Sequence, residues 1–305
     1  MRPRLLLCSL MLSLLAAACR RAPPPLVPTA ARPPPVRLEF QPPVDRVLTE
    51  TVRAIRVVER GGTSVREEAE ATTETRFTPS EGGWLLAQVV PRSRLVRGGA
   101  DAGTEVDTWV DNVLARFTLR VRLAADGTFV GLVSAESALE ALRQVVPAGA
   151  PDLAVLERFF SPEALEARMR REWEAKYAGL FARNLMEGQR IWSVDVLPMG
   201  ETQVAYVLER TVQGTRDTDY GDALVLTLRC LGTLPEGSPD ELTDAWEAAG
   251  KPQLTPGVTC EGEQVVARGR FVPVSRELTV KATVAGESWT VTTQSRAQSL
   301  QEEAR

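Results

Sequence analysis

Histidine is absent from all 305 residues. That single gap excludes Ser-His-Asp and Cys-His catalysis, histidine-ligated zinc or iron, and the usual near-neutral proton shuttle. Lysine is scarce as well, at Lys176, Lys251 and Lys281, and none of the three follows a serine at Ser-x-x-Lys spacing. The chain has no G-x-S-x-G, no phosphate-cradling G-x-x-x-x-G-K and no G-x-G-x-x-G. The 40 acidic residues could hold a catalytic pair, but no spacing singles one out. The expectation is therefore a non-enzymatic protein that needs no cofactor. No apolar run reaches the ~20 residues that cross a bilayer; the longest, Leu5 to Ala18, covers fourteen.

What is present begins at the N-terminus. Arg2 and Arg4 precede the apolar run, three small residues (Ala16, Ala17 and Ala18) end it, and Cys19 comes next. Positive start, short apolar core and small residues at a cut are the parts of a secretion signal, and a thiol after the cut can carry a lipid. The segment resembles the signal of bacterial lipoproteins, with Ala16 where the strongest form of that signature has leucine. The resemblance implies a signal peptide over residues 1–18, diacylglyceryl and acyl chains on Cys19, and a protein anchored to a membrane of the bacterial cell envelope. Arg20 is not the aspartate associated with inner-membrane retention, which favours the outer membrane over the inner.

Residues 19–43 follow as a tether, with prolines at 23, 24, 25, 28, 33, 34, 35, 42 and 43. Such a stretch favours an extended polyproline-like chain that could hold the rest as much as ~70 Å from the bilayer. Without residues 1–18 the chain keeps 34 basic against 40 acidic side chains, a balance that argues against nucleic acid as a partner. Residues 44–305 form the globular region. Its cysteines, Cys230 and Cys260, would meet an oxidising compartment after export and are expected to join in a disulfide.

Periodicity gives the fold class. Phe117, Leu119, Val121 and Leu123 alternate with Arg116, Thr118, Arg120 and Arg122, and Asp126-Gly127 turns the chain into Phe129–Val133. Leu278, Val280, Ala282 and Val284 repeat the pattern before Gly286, Trp289 and Val291, and Leu224, Leu226, Leu228 and Cys230 share one side of another strand. These are half-buried antiparallel strands. Between strand-rich stretches at 44–133 and 190–294 lies a helical block, 135–182, read as helices at 135–146, 152–160 and 162–182. The last opens with Ser161 as cap and Pro162 in its first turn, and Leu165, Met169, Trp173, Tyr177 and Leu180 make one apolar stripe along it. The expected fold is α+β, a curved antiparallel sheet of half-barrel form with the helices on its concave side. The tail from Ser295 to Arg305 reads as either a frayed end or a short helix.

Two segments bear on ligands. Asp217, Asp219 and Asp222 alternate around Gly221 as oxygen ligands of a calcium loop would, but the twelfth position is Leu228, so a plain hairpin turn is expected and no metal. In the polar strand from Val65 to Phe77, one face carries Ala69, Ala71, Thr73 and Thr75. Small inward side chains either make room for a helix or leave a cavity. The architecture is similar to the half-barrel carriers of lipids and lipoproteins in the bacterial envelope, which implies an acyl ligand held by burial. The competing expectation is an assembly lipoprotein that binds another envelope protein.

Overall fold

The computed structural model describes residues 34–98, 117–133, 135–150, 153–199 and 202–302. The signal segment, Cys19 and most of the proline-rich stretch lie outside them. The folded unit starts at Pro35, earlier than the composition suggests. Val36, Leu38 and Phe40 alternate inward and are 9, 0 and 6% exposed, so the end of the expected tether is core. Its backbone is tied in by hydrogen bonds from Ala182 N to Leu38 O (3.0 Å) and from Phe271 N to Gln41 O (2.8 Å).

The strands are β1 (Val36–Arg37), β2 (Arg46–Arg60), β3 (Thr63–Ser80), β4 (Gly83–Gly98), β5 (Leu119–Ala124), β6 (Phe129–Val133), β7 (Asn184–Leu185), β8 (Arg190–Met199), β9 (Thr202–Thr218), β10 (Gly221–Leu231), β11 (Thr259–Ala267), β12 (Pro273–Val284) and β13 (Glu287–Glu302). Eleven of them form one antiparallel sheet in the order β6-β5-β4-β3-β2-β13-β12-β11-β10-β9-β8, and β1 pairs with β7 separately. Every neighbour but one in that order is also a neighbour in sequence. The exception, β13 against β2, joins the two strand-rich stretches into a single sheet. The tail is therefore neither frayed nor helical up to Glu302: it is the end of β13, held by the β2 ladder with Ala297 buried.

The described helices are α1 (Glu136–Val145), α2 (Leu153–Phe159), α3 (Pro162–Tyr177) and α4 (Asp240–Ala248). Three answer to the expected helical block. The fourth, α4, interrupts the second strand-rich stretch: Pro239 precedes it, Asp240 and Glu241 occupy its first turn, and Leu242 is buried. α3 begins as expected, with the Ser161 hydroxyl accepting from Ala164 N at 3.2 Å and proline in the first turn.

The curvature brings both edges of the sheet, β6 and β8, against α3. An exposed strand edge offers unpaired backbone groups, and α3 answers those of β6 with side chains. Leu132 N donates to Glu166 Oε2 at 3.4 Å, and Arg170 Nη2 donates to Val130 O at 3.2 Å. α3 thus spans the opening of the half-barrel and roofs its concave face.

Cys230 and Cys260 form a disulfide, with Cα atoms 5.0 Å apart, between the adjacent strands β10 and β11. They pack with Leu228, Val258 and Leu278 at the margin of a core cluster. Asp219 and Tyr220 form the turn of the β9–β10 hairpin, Asp217 faces Asp222 across the ladder, and Asp222 is ion-paired with Arg268. The aspartates of the calcium-like pattern serve a hairpin turn.

Candidate functional site

Strand register alone assembles a belt of side chains across the concave face. Cross-strand partners run Val212, Leu226, Gln264, Arg276, Ser295, Val52 and Ala71, through β9, β10, β11, β12, β13, β2 and β3. Directly opposed residues lie on one face of the sheet, roughly 5 Å apart. Two positions from Val52 along β2, Glu50 is paired with Thr73. The belt is apolar at one end, polar in the middle and small at the other.

α3 closes over this belt. Its C-terminal end is fixed by the buried Arg210, which donates to Lys176 O at 2.9 Å and to Ala178 O at 2.7 Å, while Gln264 Nε2 donates to Lys176 O at 2.9 Å. The last carbonyls of a helix have no intrahelical partner and carry partial negative charge, so a guanidinium there satisfies both needs. Burial, with Arg276 and Arg183 nearby, lowers the Arg210 pKa to about 9. Farther along, Trp173 Nε1 donates to Gly127 O at 2.9 Å in the β5–β6 turn. Gly127 has φ +84°, and a Cβ there would stand 2.7 Å from the Phe40 ring. The turn needs glycine both for its backbone conformation and for the approach of Phe40.

Beneath the helix the concave face holds two chambers. One, of about 240 Å³, is bounded by Leu48, Phe77, Phe129, Met169, Trp173 and Phe271, with Ala71, Thr73 and Thr75 of β3 forming part of its wall. The small-residue face of β3 thus borders a cavity as well as a helix. The second, of about 510 Å³, mixes Leu197, Leu278 and Val291 with Arg168, Arg171 and Asp195. The two meet at Val52, Glu172, Lys176, Arg276 and Ser295. Of the apolar stripe on α3, Leu165 is packed in the core, whereas Met169, Trp173 and the buried Tyr177 line the first chamber.

The junction is electrostatically divided. Lys176 Nζ lies 2.7 Å from Glu172 Oε1, and this cation holds the Glu172 carboxyl below the usual carboxylate range. Burial drives Glu50 the other way, up to about 7, with Lys176 opposing and Glu172 reinforcing the rise. Tyr177 is pushed well above its ordinary value, chiefly by burial. Arg276 makes no ion pair within 4 Å among the described residues. Three buried polar atoms of the first chamber's lining, Thr73 Oγ1, Gln264 Oε1 and Arg276 Nε, have no hydrogen-bond partner there. Thr73 is 8% and Gln264 2% exposed, so bulk water does not readily satisfy them.

Of the residues singled out by sequence, Cys230 and Cys260 pack behind the wall of the second chamber without lining either one, and Cys19 is outside the described residues. Sequence reading reached Ala71, Thr73, Met169 and Trp173 through periodicity. It missed Glu50, Gln264, Arg276 and Arg210, whose signal is a polar side chain on the apolar-facing side of a strand.

No protein family and no curated protein matches the chain. Among solved structures, lipovitellin superposes over 88% of this chain and 26% of its own, at 10% identity and TM-score 0.47. This chain therefore spans about a quarter of that protein. An exported protein with a YmcC-like fold from Bacteroides fragilis is matched over 87% of this chain and 99% of its own, at 9% identity and TM-score 0.25. An outer-membrane lipoprotein-sorting protein domain from Vibrio parahaemolyticus is matched over 83% and 84%, at 7% identity and TM-score 0.13. All three scores are below 0.5, so the functional reading rests on the chambers themselves.

Proposed function

We propose that the chain is a lipid-anchored lipoprotein of the bacterial cell envelope that binds an apolar or lipid ligand beneath α3 and performs no catalysis. One observation carries this reading. A chamber with aromatic and aliphatic walls is kept open by small residues, Ala71, Thr73 and Thr75, where larger side chains would have filled it. Together the two chambers fall within the ~300–1,000 Å³ usual for ligand sites. Burial of an alkyl chain would contribute about 25 cal/mol per Å² of apolar surface, without any nucleophile or proton shuttle. The reading accords with a sequence that has no histidine and an N-terminal segment resembling a lipoprotein signal. Anchoring through Cys19 would place the folded unit at a membrane surface, with the outer membrane favoured.

Residues 20–305, exported to a bacterial periplasm and purified without detergent, should yield near-stoichiometric lipid on solvent extraction and mass spectrometry. Ala71→Trp, which fills the chamber, should lose that lipid while keeping its thermal transition. A well-folded wild type that yields none would sink ligand binding and turn the search to protein partners.

A further inference from the structure

We propose that the polar junction between the chambers is a receptor for the anionic head, carboxylate or phosphate, of a single-chain amphiphile whose tail occupies the 240 Å³ chamber. This inference rests on the ligand-binding reading above and adds the chemical class of the ligand.

The first support is the state of the cations. Lys176 is paired directly with Glu172 at 2.7 Å, a carboxylate that Arg276 feels only at longer range. Arg276 is different. It lines both chambers, lacks an ion pair among the described residues, and has a buried Nε with no acceptor. A guanidinium is a planar fork of donors that matches a carboxylate or phosphate, and such pairs strengthen where water is sparse. The second chamber adds Arg168 and Arg171. Its one acid beyond the junction, Asp195, already accepts from Tyr206 Oη at 3.0 Å and Val196 N at 2.8 Å. Lys176, Arg276, the half-buried Arg168 and the exposed Arg171 stand against Glu50, Glu172 and Asp195, so the walls keep one positive charge in excess on a chain whose net charge is −4.

Gln264 supplies the second support. It is the cross-strand partner of Arg276, is 2% exposed, and is held by its amide nitrogen to Lys176 O at 2.9 Å. That bond fixes Oε1 as an acceptor with no donor. A donor at the junction and an acceptor beside it in the first chamber, both buried and unpartnered among the described residues, stand on cross-strand partners. They suit a head bearing an anionic oxygen for Arg276 together with a hydroxyl or a bound water for Gln264. Size supplies the third: 240 Å³ has room for roughly eight water-sized groups, enough for the far end of one alkyl chain whose carbons nearest the head reach the junction, and too little for two.

The test uses residues 20–305 and the neutral fluorophore N-phenyl-1-naphthylamine, which reports occupancy of an apolar chamber whatever the head. Dodecanoate and dodecyl phosphate should displace it at concentrations at least tenfold below those needed for dodecanol, while acetate and inorganic phosphate should not displace it. Arg276→Met should bring the anions to the dodecanol level, and Arg276→Lys should recover part of the difference. Arg168→Met, at a half-buried residue, provides a second variant if Arg276→Met shifts the thermal transition; it should narrow the preference for the anions. If the fluorophore binds and is displaced equally by all three amphiphiles in wild type and variants, head recognition is wrong and the apolar chamber stands. If the folded protein takes up neither fluorophore nor amphiphile, both readings fall.

Discussion

Glu50 stands on β2 opposite Thr73, within electrostatic reach of Lys176, Glu172 and Tyr177. Burial raises its carboxyl from 4.5 to about 7, so between those values the folded protein binds more protons than the unfolded chain. Stability linked to Glu50 is then fully present below pH 4.5 and is lost as pH rises through about 7. A shift of this size corresponds to about 3 kcal/mol; contact with the chamber reduces the expected effect to about 2 kcal/mol. Urea unfolding of wild type and Glu50→Gln at pH 4.5 and pH 8 should show a loss about 2 kcal/mol smaller in the variant. Equal pH dependence in the two proteins would remove the account of Glu50. Its carboxylate was invisible to sequence reading because Glu50 sits among ordinary strand residues, and only the register to Thr73 and the helix overhead show that it points inward.

At the scale of elements, α3 is held at both ends by unlike means. Its N-terminus is specified locally by Ser161 and Pro162, three residues or fewer from the groups they serve. Its C-terminus depends on Arg210, far away in sequence on β9. Removing that side chain leaves Ala178 O without its donor and opens a void under the helix, so Arg210→Ala should cost about 3 to 5 kcal/mol. Equilibrium denaturation measures this directly; a loss below about 1 kcal/mol would show that the helix end is secured by other contacts. The same contrast explains what was readable in α3. The apolar stripe and the cap follow from spacing and were expected, whereas the division of that stripe into a packed part and a chamber-facing part depends on how far the sheet curves beneath it.

The molecule as a whole combines a sheet that wraps and a helix that closes it, so the binding volume belongs to no single segment. β3 supplies the small wall, β12 the Arg276 guanidinium, β11 the amide and α3 the roof. Whether this assembly works at a membrane turns on Cys19. A radioactive fatty acid should label the wild type and leave Cys19→Ser unlabelled in a bacterial host. Equal labelling of both would end the anchor proposal while leaving the chambers untouched.

The sequence by itself determined the local devices: alternating strands, the Ser161 cap, the Asp126-Gly127 turn, the α+β class and the pairing of Cys230 with Cys260. Each depends on nearest neighbours, on side-chain period, or on the count of exported cysteines. Only the tertiary structure decided that β13 joins β2 into one sheet, that Phe40 belongs to the core rather than the tether, and that Glu50, Gln264 and Arg276 converge under α3. Those outcomes depend on register and curvature across eleven strands, and in such a sheet a shift of one residue would send every inward side chain to the other face.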